Sequence, residues 1–356
     1  MSLASGRIAV VGATGVVGRE VLSILEERGV PAAKIMPLAS ARSAGRTVPY
    51  AGGALTVHEA AADSFHGVGV AIFAASSGVA RALSPHAIFA GATVIDNSSA
   101  FRMNEGVPLV VPEINGALVT PTKGRGPVPL VANPNCSTII LLLAVEPLRR
   151  RFGLSSIVVS TYQAVSGAGQ AGLDALTDEI NARRSESDAG GEPKHSIVDT
   201  SPFTEPCFLN VFSHNSPVDP ATGLNGEERK MIDESRKILN LPTLAVSPTC
   251  VRVPVMRAHS ESITLGLTSP ATYAEVLAAY EGFPGVRVVD DRAGNRFPTP
   301  LKAAGTDDVL VGRIRPDPAL PLDAQGRSVA WCLFACGDQL RKGAALNAVQ
   351  IAELIS

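Results

Sequence analysis

Ile8-Ala9-Val10-Val11-Gly12-Ala13-Thr14-Gly15-Val16-Val17-Gly18 decides how the N-terminal third folds. Four consecutive apolar residues read as a strand buried on both faces. Residues 16–28 read as a helix, with Val17, Val21, Leu22, Ile24 and Leu25 supplying one apolar face. Between them lies G-x-x-G-x-x-G, a variant of the dinucleotide fingerprint. Its glycines allow a tight turn, close approach of backbone to a pyrophosphate, and close helix–strand packing. The phosphates would meet unpaired N–H groups at the helix N-terminus. Gly12, Thr14, Gly15, Val16, Val17 and Gly18 are therefore the expected cofactor residues. The alternative is a tight turn with no ligand.

Working outward, residues 35–39 and 68–75 read as strands, a helical pattern runs from about Val79 to Phe89, and residues 93–95 and 109–111 add two more strands. Strands alternating with helices imply a parallel sheet covered on both faces. The second strand ends in Ala39-Ser40-Ala41-Arg42-Ser43. A dinucleotide site for NAD carries an acidic residue about 20 residues after its loop. No carboxylate stands here, and Ser40, Arg42 and Ser43 suit a 2′-phosphate, so NADP is expected over NAD. Arg42 as a solvated loop residue is the competing reading. Ser76 and Ser77 stand after the third strand, either touching ribose or pyrophosphate or forming a plain turn.

At 356 residues the chain exceeds one ordinary core, and two domains are expected. Apolar residues make up 46%, which excludes a disordered chain, and the net charge of -2 without a long basic run disfavours nucleic acid and anionic membranes as partners. The longest apolar run, residues 139–145, is too short to span a bilayer, and the N-terminus has no signal-peptide pattern. A cytoplasmic protein is expected. Five widely spaced cysteines without a C-x-x-C pair point away from disulfides and from a metal site.

After Cys136 the pattern changes. Residues 137–152, 169–184 and 226–239 read as helices, and 157–163, 244–253, 262–267, 286–289, 309–315 and 329–336 as strands. Residues 185–206 are polar, rich in Gly and Pro, and read as a loop. Strands with few helices between them suggest a mixed or antiparallel sheet. The tail, residues 338–355, reads as a helix with Asp338 as N-cap, returning to the first domain.

Asn133-Pro134-Asn135-Cys136-Ser137-Thr138 joins a short apolar strand to an apolar helix. Cys136 thus falls at a helix N-terminus, whose partial positive charge favours thiolate. Nearby N–H groups could stabilise an oxyanion. Two readings stand, a nucleophile or a packed thiol. A thiolate nucleophile needs an acid–base partner. Among the histidines, His259 stands out in Arg252-Val253-Pro254-Val255-Met256-Arg257-Ala258-His259, where Pro254 breaks a strand and Arg252 and His259 could flank the mouth of a hairpin.

These motifs, with Ser98-Ser99-Ala100-Phe101-Arg102, Tyr162-Gln163-Ala164-Val165-Ser166-Gly167, Gly226-Glu227-Glu228-Arg229-Lys230-Met231 and Leu340-Arg341-Lys342-Gly343-Ala344-Ala345, together resemble the aspartate-semialdehyde dehydrogenase family. The resemblance implies a Rossmann-type dinucleotide-binding domain, residues 1–136 plus 337–356. It pairs that domain with an α+β catalytic and dimerisation domain on a mixed sheet, residues 137–336. It implies Cys136 as nucleophile, His259 as acid–base catalyst and Gln163 orienting substrate. Arg252 would take the substrate carboxylate, Glu227 its amino group, Lys230 and Arg102 its phosphate, and Asn135 would help position it. Ser166, Gly167, Gly169 and Gln339 would lie near the cofactor. The implied reaction is NADPH-dependent conversion of L-aspartyl 4-phosphate to the semialdehyde and phosphate, in biosynthesis of lysine, threonine, methionine and isoleucine, by a homodimer or homotetramer. Phe212-Ser213-His214-Asn215 departs from a proline-containing segment typical of many members. Alternatives are an N-acetyl-glutamyl-phosphate reductase, whose usual Gly-Cys-Tyr motif Asn135-Cys136-Ser137 does not fit, and a cofactor-independent Cys/His hydrolase.

Overall fold

The computed structural model describes residues 6–122, 128–188 and 201–355, without the side chains of 185–188. Residues 189–200, most of the stretch 185–206 expected to be a loop, lie outside the described residues, while 185–188 are helical, contrary to that expectation. The chain divides into two compact units: Met1–Ile139 with Lys237–Leu241 and Leu340–Ser356, and Ile140–Arg236 with Pro242–Gln339.

In chain order the first unit carries β1 (Arg7–Val11), α1 (Val16–Glu27), β2 (Ile35–Ala39), β3 (Thr47–Tyr50), β4 (Gly53–Thr56), β5 (His58–Glu59), β6 (Val68–Phe73), α2 (Ser77–Phe89), β7 (Thr93–Asp96), α3 (Pro112–Asn115) and β8 (Leu130–Ala132), then the start of α4 (Cys136–Phe152). Its main sheet runs β5-β2-β1-β6-β7-β8, parallel throughout. The period of two along β1 explains the two layers. Ile8 and Val10 pack with Val21, Leu22, Ile24 and Leu25 of α1 on one face, while Ala9 and Val11 pack with Ala80 and Ala87 of α2 on the other. Each buried Val, Leu or Ile among them stabilises the unit by roughly 1.5–3 kcal/mol.

Two local readings differ from this. Residues 109–111 form no strand; Leu109 makes a single bridge to Ala132. Pro108 and Pro112 flank the segment, and neither has an N–H to extend a ladder. The β3–β4 hairpin was not foreseen. Its turn places Ala51 at φ 50 and Gly52 at φ 72, a tight two-residue connection without the usual Asn-Gly signal.

The second unit carries the rest of α4, β9 (Ser156–Gln163), α5 (Gly169–Asp188), β10 (Phe212–Ser213), most of α6 (Gly226–Leu239), β11 (Ala245–Arg252), β12 (His259–Ala271), α7 (Tyr273–Tyr280), β13 (Val286–Val288), α8 (Pro300–Ala303), β14 (Val309–Pro316) and β15 (Ser328–Gly337). Its seven-stranded sheet runs β10-β11-β9-β12-β15-β14-β13 and is mixed. β9 pairs parallel to β11 and antiparallel to β12. Residues Ile157, Val159, Thr161 and Gln163 of β9 are buried, whereas Val158 and Tyr162 are 54% and 37% exposed. One face of the strand is therefore covered and the other open. α7, unforeseen, is started by a full capping box between Thr272 and Glu275.

The tail departs from the expected single helix. β15 runs on to Gly337, a π-helical turn spans Arg341–Ala345, and α9 covers Leu346–Ile355. Asp338 is not a helix cap. Its buried carboxylate accepts from Arg257 Nε and Gly305 N, both at 2.6 Å. The tail does return to the first unit: Leu346, Val349, Ile351 and Ala352 join the cluster of Ile8 and Val10. Asn347 Nδ2 donates to Asn133 Oδ1 at 2.7 Å, which ties α9 to the segment that precedes Cys136.

Candidate active site

Because the first sheet is parallel, the segments that follow β1, β2, β6, β7 and β8 open at one edge, where ligands of such sheets bind. The glycine loop stands there. Gly12 has φ +88, and a Cβ on it would collide with the Ala74 carbonyl; a Cβ on Gly18 would enter the Gly12 carbonyl. Gly15 is the N-cap of α1, and no side chain caps that helix. A bare backbone at an uncapped helix N-terminus fits the diphosphate of a dinucleotide. Thr14, Val16 and Val17 lie in this turn and first helical residues. Ser40 precedes the short turn Ala41–Ser43, which holds Arg42 exposed. Ser76 caps α2 by accepting from Val79 N at 3.5 Å, and Ser77 Oγ lies 3.2 Å from Ser99 Oγ.

Cys136 is the first residue of α4. Asn135 is its N-cap: the side-chain oxygen accepts from Ser137 N at 3.1 Å and Thr138 N at 3.2 Å. The amide oxygen of Asn135 is thus engaged by the helix, and the helix N-terminus puts partial positive charge beside the sulfur. The Cys136 thiol is partly exposed; Cys207, Cys250, Cys332 and Cys336 are buried. Burial pushes the Cys207 thiol up to about 11 and the Cys250 and Cys336 thiols up as well. Arg102 is also buried. Its Nε donates to Asn133 O at 2.9 Å and its Nη2 to Asn97 O at 2.8 Å, so it braces the loop that leads to Cys136.

In the second unit a different arrangement replaces the expected hairpin mouth. β11 and β12 are not neighbours, because β9 runs between them. Arg252 pairs with Gln163, and Ser260 pairs with Tyr162, which puts His259 opposite Gln163 from the other side. Arg252, Gln163 and His259 therefore form one buried row across three strands, 2%, 1% and 0% exposed. Gln163 Nε2 donates to Thr161 Oγ1 at 3.2 Å and to Glu227 Oε1 at 3.4 Å. Glu227 also holds Lys230 Nζ at 3.1 Å, on the same face of α6. Asn225 starts that helix: its Oδ1 accepts from the N–H groups of Glu227 and Glu228, both at 3.0 Å, while Glu228 Oε2 accepts from Asn225 N at 2.9 Å.

His259 Nδ1 accepts from Ala164 N at 2.9 Å. The neutral ring must then carry its proton on Nε2. Burial first, then the Arg252 guanidinium, lowers the His259 pKa from 6.5 to about 3. Gly167 packs against this pair; a Cβ there would lie 2.9 Å from Arg252 Nη1 and 3.2 Å from His259 Cε1. Ser166 and Gln339 are bonded to each other, and Gln339 Oε1 accepts from Ala258 N at 2.8 Å. Gly169 opens α5 at φ +74. Sequence reasoning missed Glu261. It lies two residues along from His259, fully buried, with neither carboxylate oxygen hydrogen-bonded, and burial raises its pKa well above 4.5. It stands on the same strand beneath the row.

The depressed histidines have a consequence for stability. His214 is lowered from 6.5 to about 4, by burial above all. Unfolded, both rings take a proton near 6.5; folded, they resist it down to about 4 and about 3. The unfolded state binds more protons in that window, so stability is full above 6.5 and falls as pH drops. Each ring contributes at most about 1.4 kcal/mol per pH unit. Denaturant unfolding of the His214→Gln/His259→Asn double variant is expected to show a shallower loss between pH 6.5 and 4.5 than wild type. Parallel curves would contradict the assignment.

The structure thus gathers Arg102, Asn135 and Cys136 with the glycine loop in the first unit, and Gln163, Glu227, Lys230, Arg252 and His259 in the second. Residues 7–120 match the family described as "Semialdehyde dehydrogenase, NAD binding domain", and residues 145–342 match "Semialdehyde dehydrogenase, dimerisation domain". The chain is 42% identical to aspartate-semialdehyde dehydrogenase of Prochlorococcus marinus, over 98% of this chain and 95% of that one. It is 42% identical to that of Bacillus subtilis, over 97% and 96%. The crystal structure of aspartate semialdehyde dehydrogenase II from Vibrio cholerae, complexed with ASA, superposes with a TM-score of 0.86 at 35% identity, covering 99% of this chain and 98% of that one. Matches of this length and identity run through both units, and the chain belongs to the aspartate-semialdehyde dehydrogenase family.

Proposed function

We propose that the protein reduces L-aspartyl 4-phosphate to L-aspartate 4-semialdehyde with NADPH, in amino-acid biosynthesis, through a thioester on Cys136. The observation that carries this is a partly exposed thiol at the first position of a capped helix, at the sheet edge that holds the glycine loop. A thiolate attacks well and leaves well, which suits both halves of the reaction. The Cys136 sulfur bonds to the acyl carbon, the bond from that carbon to phosphate oxygen breaks, and phosphate leaves with the electron pair. Residues 12–18 would hold the diphosphate of NADPH, and Arg42, with Ser40 and Ser43, its 2′-phosphate. When bound, the nicotinamide supplies the hydride that converts the thioester to aldehyde. Cys136 is then the leaving group.

The second unit supplies recognition. Arg252 takes the α-carboxylate, and Glu227 takes the ammonium group. Lys230, whose side chain is 36% exposed, offers a cation to phosphate. Gln163, held by Thr161 and Glu227, orients the acyl group. His259, with Nδ1 occupied by Ala164 N and its proton on Nε2, acts from the acid side: it donates to the acyl oxygen as negative charge builds there. Arg102, braced on two carbonyls, fixes the Cys136 loop and contributes positive charge for the phosphate. Two copies of the chain would pair through the second unit's sheet, where Val158 and Tyr162 give an open face; the matched dimerisation family covers that region. We place the protein in the cytoplasm, in keeping with five free cysteines; no described helix is long and apolar enough to cross a membrane.

The test is direct. Purified protein with L-aspartate semialdehyde and inorganic phosphate is expected to reduce NADP, far faster than NAD, and to stop when phosphate is withheld. Turnover of N-acetylglutamate semialdehyde instead, or none with either aldehyde, would defeat the reading.

A further inference from the structure

The segment Ser213-His214-Asn215 is not used by the reaction above, yet it converges on Arg252. The edge strand β10 pairs Phe212 with Arg252 and Ser213 with Val251, and His214 N donates to Cys250 O at 2.9 Å. This register delivers the next two side chains to the guanidinium. Asn215 Oδ1 accepts from Arg252 Nε at 3.2 Å and from Nη2 at 3.1 Å, so one oxygen sits in the side-on fork. The amide is oriented by its own nitrogen, which donates to Pro202 O at 3.4 Å. Arg252 Nη2 also donates to His214 Nε2 at 2.8 Å, and Nη1 donates to Ala164 O at 2.9 Å.

The tautomer of His214 follows from its partner. Arginine only donates, so Nε2 offers a lone pair and Nδ1 carries the proton, which goes to Ser216 Oγ at 3.0 Å. Ser216 N lies 3.2 Å from the same Nδ1, but that nitrogen has no lone pair left to accept with. Ser216 Oγ in turn accepts from Glu227 N at 3.0 Å. His214 is thus braced through Ser216 to the start of α6.

The fork of a guanidinium is the edge that binds a carboxylate with two parallel hydrogen bonds. A neutral amide oxygen holds it here. We propose that Asn215 is a place-holder for the substrate α-carboxylate: the substrate binds Arg252 by exchanging with the Asn215 amide, while His214 keeps the guanidinium plane fixed during the exchange. The exchange is favourable because a carboxylate brings a full negative charge and two oxygens to the guanidinium fork, where the amide offers one oxygen and only a dipole. A neutral group gains no such advantage over the amide it would displace, so this exchange makes Asn215 a specificity-determining residue for a carboxylate. The inference rests on Arg252 as the carboxylate site, and its test separates the two claims.

Asn215→Asp keeps the shape and puts a true carboxylate in the fork. In full-length enzyme assayed with L-aspartate semialdehyde, phosphate and NADP, it is expected to raise the aldehyde KM by about tenfold or more, the cost of parting a charge-assisted pair. kcat at saturating aldehyde should move far less. Asn215→Ala removes the competitor and is expected to lower KM severalfold, about two- to fivefold. It decides the matter if the aspartate variant does not fold. An unchanged KM in both variants, or a loss confined to kcat and thermal stability, would overturn the exchange. Failure of the carboxylate reading looks different: Arg252→Lys would then leave the aldehyde KM unaltered.

Discussion

Cys136→Ala is expected to lower kcat on the order of 10^5-fold, the scale on which removal of a covalent nucleophile acts. The side chain is small, and the helix it opens is capped by Asn135 rather than by the thiol, so the variant should fold and bind NADPH as wild type does. No other cysteine can take over, because the remaining four are buried. Cys136→Ser should fare little better. Its hydroxyl ionises far less readily than a thiol, and an oxygen ester gives up its acyl group less readily than a thioester. Steady-state assays, with NADPH binding followed by fluorescence, check both halves of the expectation. An alanine variant retaining a tenth of wild-type kcat would be incompatible with covalent catalysis at this position.

Arg252→Lys carries the second large effect. Lysine keeps the charge but loses the planar fork and the donors now spread over Asn215, His214 and Ala164. Hydrogen bonds to charged groups are worth roughly 1.5–3 kcal/mol, so kcat/KM for L-aspartate semialdehyde should fall by about 10- to 150-fold. Most of that fall should lie in KM, since the carboxylate is held alike in ground and transition states. The guanidinium also stands beside His259 and is among the causes that depress it. A loss carried by kcat alone would place Arg252 nearer the chemistry than the carboxylate.

The first unit was readable because its constraints are local. Gly12 and Gly18 stand where a side chain would strike a backbone carbonyl, and only glycine serves. Asn135-Cys136-Ser137-Thr138 reads as a cap and a helix start because capping is decided within four residues. Errors arose where long-range pairing decides. Arg252 and His259 lie in one row, but not across a hairpin: β9, nearly a hundred residues earlier than β12, runs between them. Nothing near Pro254 encodes that insertion. Asp338 looked like a cap because an acidic residue preceded a helical pattern, yet β15 continues to Gly337 and its carboxylate is drawn to Arg257. Asn215 and His214 carried a faint signal, their departure from the proline-containing segment, but their target lay 37 and 38 positions away. Glu261 gave none, since a glutamate on a strand reads as a solvent-facing residue.

Covalent capture tests the central claim most directly. Enzyme incubated with L-aspartate semialdehyde and NADP, without phosphate, should accumulate the acyl form. Acid quenching, digestion and mass spectrometry should find an aspartyl group on the peptide that contains Cys136, removed by hydroxylamine and absent when phosphate is supplied before quenching. Turnover in phosphate with no adduct ever found on Cys136, or an adduct on another side chain, would contradict the account.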